Sequence, residues 1–193
     1  MRPLSGRSAL LETYGIPQPS IADRKIISRF GYAGIYFVGW EGDPDDAPIK
    51  VGIADNPFER FGNFQCGNWR KLQVHEILYV MSRPHAKDWR PMLNSSGENV
   101  AFSYDKWGRG FVQARLIEAA VHANLKQAGA HHRGEWFSGG IDYLVSAVKR
   151  EISETFSHEY LSHRSMLRRL KMWKEEAAIS ADAKNTLRAA VYS

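Results

Sequence analysis

The sequence predicts an α/β (α+β) fold in which a small mixed or antiparallel sheet is flanked by helices. Three observations carry this expectation. Two apolar runs bounded by glycine, GIYFVGW at 34–40 and IKVGI at 49–53, are separated by the turn-rich acidic loop EGDPDDAP. A capped helical segment and a third apolar run follow directly. Beyond them, FVQARLIEAAVHANLKQAG at 111–129 has the apolar spacing of an amphipathic helix.

Each element has a local cause. Ser20 opens SIADRKIISRF, and Asp23 three residues on completes a capping box, so a helix is expected through Arg29. Residues 34–53 read as a hairpin. Asn56 caps the next helix, with Pro57 at its first position, Glu59 at its third and Gly67 at its end. KLQVHEILYV at 71–80 reads as a strand with Leu72, Val74, Leu78 and Val80 on one face. Residues 82–110 mix Pro, Gly, Asn and Ser with aromatic and basic side chains, and are expected to form a long loop or insertion.

In the helix at 111–129, Leu116, Ala120 and Ala123 line one side, flanked by Ile117, Val121 and Leu125. Arg115, Glu118, His122 and Lys126 form a polar stripe. RGEWFSGG follows as a turn and short strand. From Ile141 the chain reads as helical, with Ser180 as the cap of a last short helix. The expected organisation is an N-terminal helical extension (1–30), a central domain (31–140) and a helical C-terminal extension (141–193).

Composition bounds the function. The 193 residues include 44% hydrophobic side chains, enough for a real core. The 26 basic and 21 acidic residues give a net charge of +5, compatible with a nucleic-acid partner. Residues 31–80 carry four basic and seven acidic side chains, whereas 81–193 carry 17 and 12, so the basic excess lies in the flanks. Cys66 is the sole cysteine, which excludes an intrachain disulfide and zinc sites built on paired cysteines. It reads as inert packing. There is no apolar run of bilayer length and no secretory leader, so a soluble, cytoplasmic protein is expected.

GIY at 34–36 and KVG at 50–52 resemble the two halves of the GIY-YIG endonuclease motif. The arginine of NPFERF and the glutamate of RLIEAAVH follow in that family's order. The segment IKVGIADNPFERFGNFQCGNWRKLQV, with GEWF after it, resembles the branch found in phage reading frames and in a meiotically up-regulated fungal protein. In that branch a lysine commonly replaces the second motif tyrosine. The resemblance covers about residues 33–138.

It implies a GIY-YIG-like fold and a DNA endonuclease dependent on Mg²⁺ or Mn²⁺, acting on double-stranded DNA. Tyr36 would be the general base. A phenol titrates near pH 10, so it would need positive charge beside it; Lys50 would supply that charge or hold the water. Arg60 would clamp the scissile phosphate with its planar fork. Glu118 would be the metal ligand, a hard oxygen donor suited to Mg²⁺. His122 at i+4 from Glu118 would orient it, contact DNA or shuttle a proton. The family pattern has a Tyr or His where Phe64 stands, and a terminal asparagine for which Glu135 is the nearest counterpart.

Outside the motif, Arg90 and Arg109 lie among Trp89, Tyr104 and Trp107, a basic and aromatic mix suited to nucleic-acid contact. Arg164, Arg168 and Lys171 recur at spacings of four and three, which places them on one helix face as phosphate contacts. His131 and His132 are adjacent, so their side chains diverge, and they read as solvated. The alternative to an endonuclease is a catalytically degenerate module of the same fold that binds DNA or another protein.

Overall fold

The computed structural model describes residues 14–82, 102–104, 110–112 and 114–191. Helix α1 (Ile21–Arg29) begins at the capping box formed by Ser20 and Asp23. Strands β1 (Tyr32–Trp40) and β2 (Ile49–Ala54) form the expected hairpin. Helix α2 (Pro57–Cys66) follows, with the Asn56 side chain accepting a hydrogen bond from the Glu59 amide, and then strand β3 (Leu72–Met81). The expected insertion contributes a two-stranded ribbon, β4 (Phe102–Tyr104) and β5 (Gly110–Val112). Helix α3 (Ala114–Gln127) leads to a small hairpin, β6 (His131–Arg133) and β7 (Trp136–Phe137). Helix α4 (Ile141–Arg150) runs into a π-helical turn, Glu151–Thr155. Strand β8 (Tyr160–Ser162) and the long helix α5 (His163–Val191) complete the chain.

The main sheet has six strands in the order β6-β7-β2-β1-β3-β8, and every pairing in it is antiparallel. The fold is therefore α+β, with two apolar layers. On one face Ala33, Ile35 and Phe37 of β1 and Val51 of β2 pack against Ile117, Val121 and Leu125 of α3 and Leu144 and Val148 of α4. On the other, Tyr36 and Val38 pack with Phe58 and Phe61 of α2, Ile27 of α1, and Met166 and Leu170 of α5.

Four expectations change. Leu72, Val74, Leu78 and Val80 do not share a face. The pairing slips between Phe37 and Val38, so that Phe37 faces Glu76 while Val38 faces Val74. The extra residue, His75, inverts the alternation. Leu72 and Val74 therefore join Ile77 and Tyr79 on the α2 face, and Leu78 and Val80 lie on the α3 face. Helix α3 begins at Ala114, and its buried stripe is Ala114, Ile117, Val121 and Leu125, with Leu116 exposed. Residues 160–162 form an edge strand where only helix was expected. Finally, no separate helix begins at Ser180, because α5 is continuous to Val191.

Candidate active site at the open edge of β2

The β1–β2 register places Tyr36 opposite Gly52. Tyr36 is 2% exposed and points to the α2 face, with its ring edge-on to Phe61 at 5.4 Å. Its hydroxyl lies across Gly52: a Cβ at position 52 would come within 2.5 Å of that oxygen. Glycine here is required for this close approach.

Helix α2 supplies the cation. Its buried side is Pro57, Phe58 and Phe61, which leaves Arg60 and Phe64, one turn apart, on the side toward Tyr36. The Arg60 guanidinium lies close enough to the Tyr36 hydroxyl to favour its phenolate form. Its carbon sits 4.9 Å from the centre of the Phe64 ring, a cation–π contact. Lys50 approaches the same ring, its Nζ 5.4 Å from the centre. Phe64 therefore works as a shared seat for two cations.

Lys50 does not supply the charge beside Tyr36. It is ion-paired with Glu135, from the turn between β6 and β7. The backbone of that turn is also tied to β2, since the Val51 amide donates to the Glu135 carbonyl at 3.0 Å.

Strand β7 pairs only with Ile49 and Lys50, so among the described residues no strand pairs with the outer edge of β2 beyond them. Side chains of α3 take over the exposed backbone groups there. His122 donates from Nε2 to the Val51 carbonyl at 2.9 Å, with its ring against Phe137. The Glu118 carboxylate lies near the Ile53 amide, which favours its charged form. Helix α3 itself packs on the face opposite Tyr36. Glu118 and His122 therefore reach the site by way of the strand edge.

Electrostatics links these groups. Burial pushes the Tyr36 phenol above its ordinary value; Arg60 opposes this, and Glu135 and Glu118 add to it. Burial also raises the Glu118 carboxyl, eased by His122, aggravated by Glu135, and eased again by the Ile53 amide and Lys50. Glu135 goes the other way. Burial alone would raise it, but Lys50, His122 and Arg60 together hold it below the usual carboxylate range.

The structure thus brings Tyr36, Lys50, Arg60, Glu118 and His122 into one electrostatic cluster and adds Glu135 to it. Only the sequence's GEWF run pointed to Glu135. Arg164, Arg168 and Lys171 are exposed on α5, which packs on the Tyr36 face of the sheet. Arg90 and Arg109 lie outside the described residues. His131 and His132 are exposed, and so is Cys66.

Two carboxylates, two cations, a phenol and an imidazole thus meet at one sheet edge, and the comparison with protein families places them within a phage-related, nuclease-like domain. The model of the T5orf172 domain matches residues 33–153, which contain all six of these residues, and the chain belongs to the T5orf172 domain family. No curated protein and no solved structure matches the chain. Among the described residues, no helix is long and apolar enough to cross a membrane.

Proposed function

We propose that this chain is a divalent-metal-dependent DNA endonuclease that hydrolyses phosphodiester bonds by a GIY-YIG-type mechanism. The observation that carries the reading is the meeting of Tyr36, Arg60, Lys50, Glu135, Glu118 and His122, from five segments of the chain, around one open strand edge. A packed structural edge has no need for two mutually repelling carboxylates beside two cations.

The donor set fits Mg²⁺ or Mn²⁺. Among the described residues there is no cage of three or more His, Cys, Asp or Glu side chains. Mg²⁺ does not need one, because it is commonly held by one or two carboxylates together with water and substrate phosphate. Glu118 would be the ligand, and its half-buried carboxylate, repelled by Glu135, is a group that a cation would stabilise. When bound, the metal would supply Lewis acidity at the phosphate oxygens.

The chain's own residues supply the rest. Arg60, planar and permanently charged, binds the scissile phosphate from its place beside Tyr36. Tyr36 takes the proton of the attacking water, and Arg60 favours the phenolate that this requires. His122, fixed through Nε2 to the Val51 carbonyl, would use its other ring nitrogen to shuttle a proton. Lys50 neutralises Glu135 and orders the turn that carries it.

One observation favours a second reading, a DNA-binding module without catalysis. The phenol is pushed up rather than down, and Lys50 is engaged by Glu135. Plasmid nicking by purified protein separates the two. Nicking that requires Mg²⁺ or Mn²⁺, stops with EDTA and is lost in Tyr36→Phe and Glu118→Gln supports the nuclease. Salt-dependent DNA binding with no nicking supports the module. Absence of both would favour a protein-interaction domain.

A further inference from the structure

The sheet face that carries Tyr36 continues beyond the candidate active site as an aromatic strip. Tyr36, Val38 and Trp40 alternate along β1 on this face, while Lys50 on β2 and Trp136 on β7 are cross-strand partners beside them. The rings of Trp40 and Trp136 are stacked, their centroids 6.1 Å apart and their planes inclined by 24°. Arg70 lies 5.9 Å from the Trp40 ring centre. Trp69, its neighbour in sequence, is 91% exposed. Trp40 and Trp136 are themselves only half-buried, so neither is a core residue.

The charges in this strip are already balanced. Lys50 is paired with Glu135, and Arg70 with Asp43. The acidic loop between β1 and β2 lies next to it. A surface of this kind has little Coulomb attraction for a duplex backbone but offers flat π-faces. Stacking on such faces requires bases whose own faces are exposed, which an uninterrupted duplex does not provide.

We propose that Trp136, Trp40 and Trp69 form a stacking platform for unpaired DNA bases, from which the strand leads past Lys50 to the phosphate clamp Arg60. The substrate is then DNA with a single-stranded stretch beside the scissile phosphate, such as a flap, a bubble or a frayed end. This rests on the nuclease reading above and narrows its substrate.

The test measures binding of the full chain in EDTA, by fluorescence anisotropy, to a labelled oligothymidine of about 20 nucleotides and to a duplex of equal length. The strand is expected to bind at least about tenfold more tightly than the duplex. Trp136→Ala and Trp69→Ala should each weaken strand binding by roughly 5- to 100-fold, the range for loss of one stacked base, and leave duplex binding unchanged. That loss should be nearly the same at about 0.1 and 0.5 M salt, because stacking releases no counterions. Trp136 is part of the sheet, so Trp136→Phe, which retains a flat ring, should recover most of the affinity. Trp69 can be removed without disturbing packing.

Equal or tighter binding of the duplex, or unchanged strand binding in both alanine variants, overturns the platform. Cleavage assays of the same DNAs in Mn²⁺ keep the two ideas apart. A stacking preference without any cleavage removes the nuclease reading and leaves the platform. Cleavage of plain duplex without strand preference removes the platform alone.

Discussion

Lys50 and Glu135 are 85 residues apart in sequence and are joined in an ion pair at the open edge of β2. The pair leaves Arg60 as the cation that touches Tyr36, and it sets a negative charge near a phenol that burial already holds in its neutral form. A Tyr36 base therefore works against its surroundings at neutral pH.

That conflict has a pH signature. If phenolate is the base, cleavage should rise with pH through the neutral and alkaline range, because the Tyr36 pKa is raised. Glu135→Gln removes one negative neighbour and frees the Lys50 ammonium, and both changes favour phenolate. The alkaline limb of the kcat profile should then move to lower pH, while Tyr36→Phe should lose roughly 10²- to 10⁴-fold in kcat. A profile that does not move in Glu135→Gln would take Tyr36 out of the role of base.

Glu118 should trade stability for activity. Its folded-state pKa is raised, so the folded protein holds that proton more tightly than the unfolded chain does. Stability from this group is greatest below the unfolded pKa and falls as pH rises through the folded one. Glu118→Gln keeps an oxygen for the Ile53 amide but removes the charge. At pH 7.5 it should raise Tm, and the gain should vanish in acid. The same variant should lose cleavage while still binding DNA, and Mn²⁺, expected to raise the Tm of the parent protein, should leave the variant's unchanged. A fully active Glu118→Gln protein would rule out the metal role.

Arg60→Lys should be far from conservative. The planar fork that lies on the Phe64 ring beside the Tyr36 hydroxyl cannot be reproduced by an ammonium. Because Arg60 is exposed, Tm should shift little, whereas kcat/KM should fall about 10²- to 10³-fold, the scale of losing a preorganised donor. Phe64→Leu, which removes the seat and retains the arginine, should fall between the two. Wild-type kinetics in Arg60→Lys would show that the guanidinium only packs.

On α5, Arg164, Arg168 and Lys171 are exposed, with Lys171 3.9 Å from Glu175 and Arg168 donating to Ser165. Replacing all three with glutamine should weaken duplex binding and reduce the magnitude of its salt slope by about one for each phosphate left unneutralised. Circular dichroism should be unchanged. An unaltered slope would restrict this helix to packing through Met166 and Leu170.

The parts of the fold that were legible in the sequence are those set by neighbours along the chain. The hairpin, the Ser20 and Asn56 caps and the helix ending near Gly129 all have local causes, and all are present. The misreadings have non-local causes. The bulge at His75 is imposed by pairing with β1, and nothing in KLQVHEILYV marks it. Leu116 looks like core by composition, yet packing against the sheet selects the stripe one residue further on. Three residues, Tyr160 to Ser162, become a strand only because the edge of β3 is there to receive them. The candidate site was proposed from residue types in order, but the partner of Lys50 could not be, since no periodicity connects positions 50 and 135.

The stitching of the β2 edge by Glu118, His122 and Glu135 also bears on the order of synthesis. A nascent chain that has emerged past α2 already carries Tyr36, Lys50 and Arg60, but neither carboxylate. The hairpin can close at that stage, yet the edge of β2 stays bare until about seventy more residues have left the ribosome and α3 has docked on the opposite face. If the nuclease reading holds, folding itself acts as a safety catch: no truncated product ending before Glu118 can cut DNA, however native its first half.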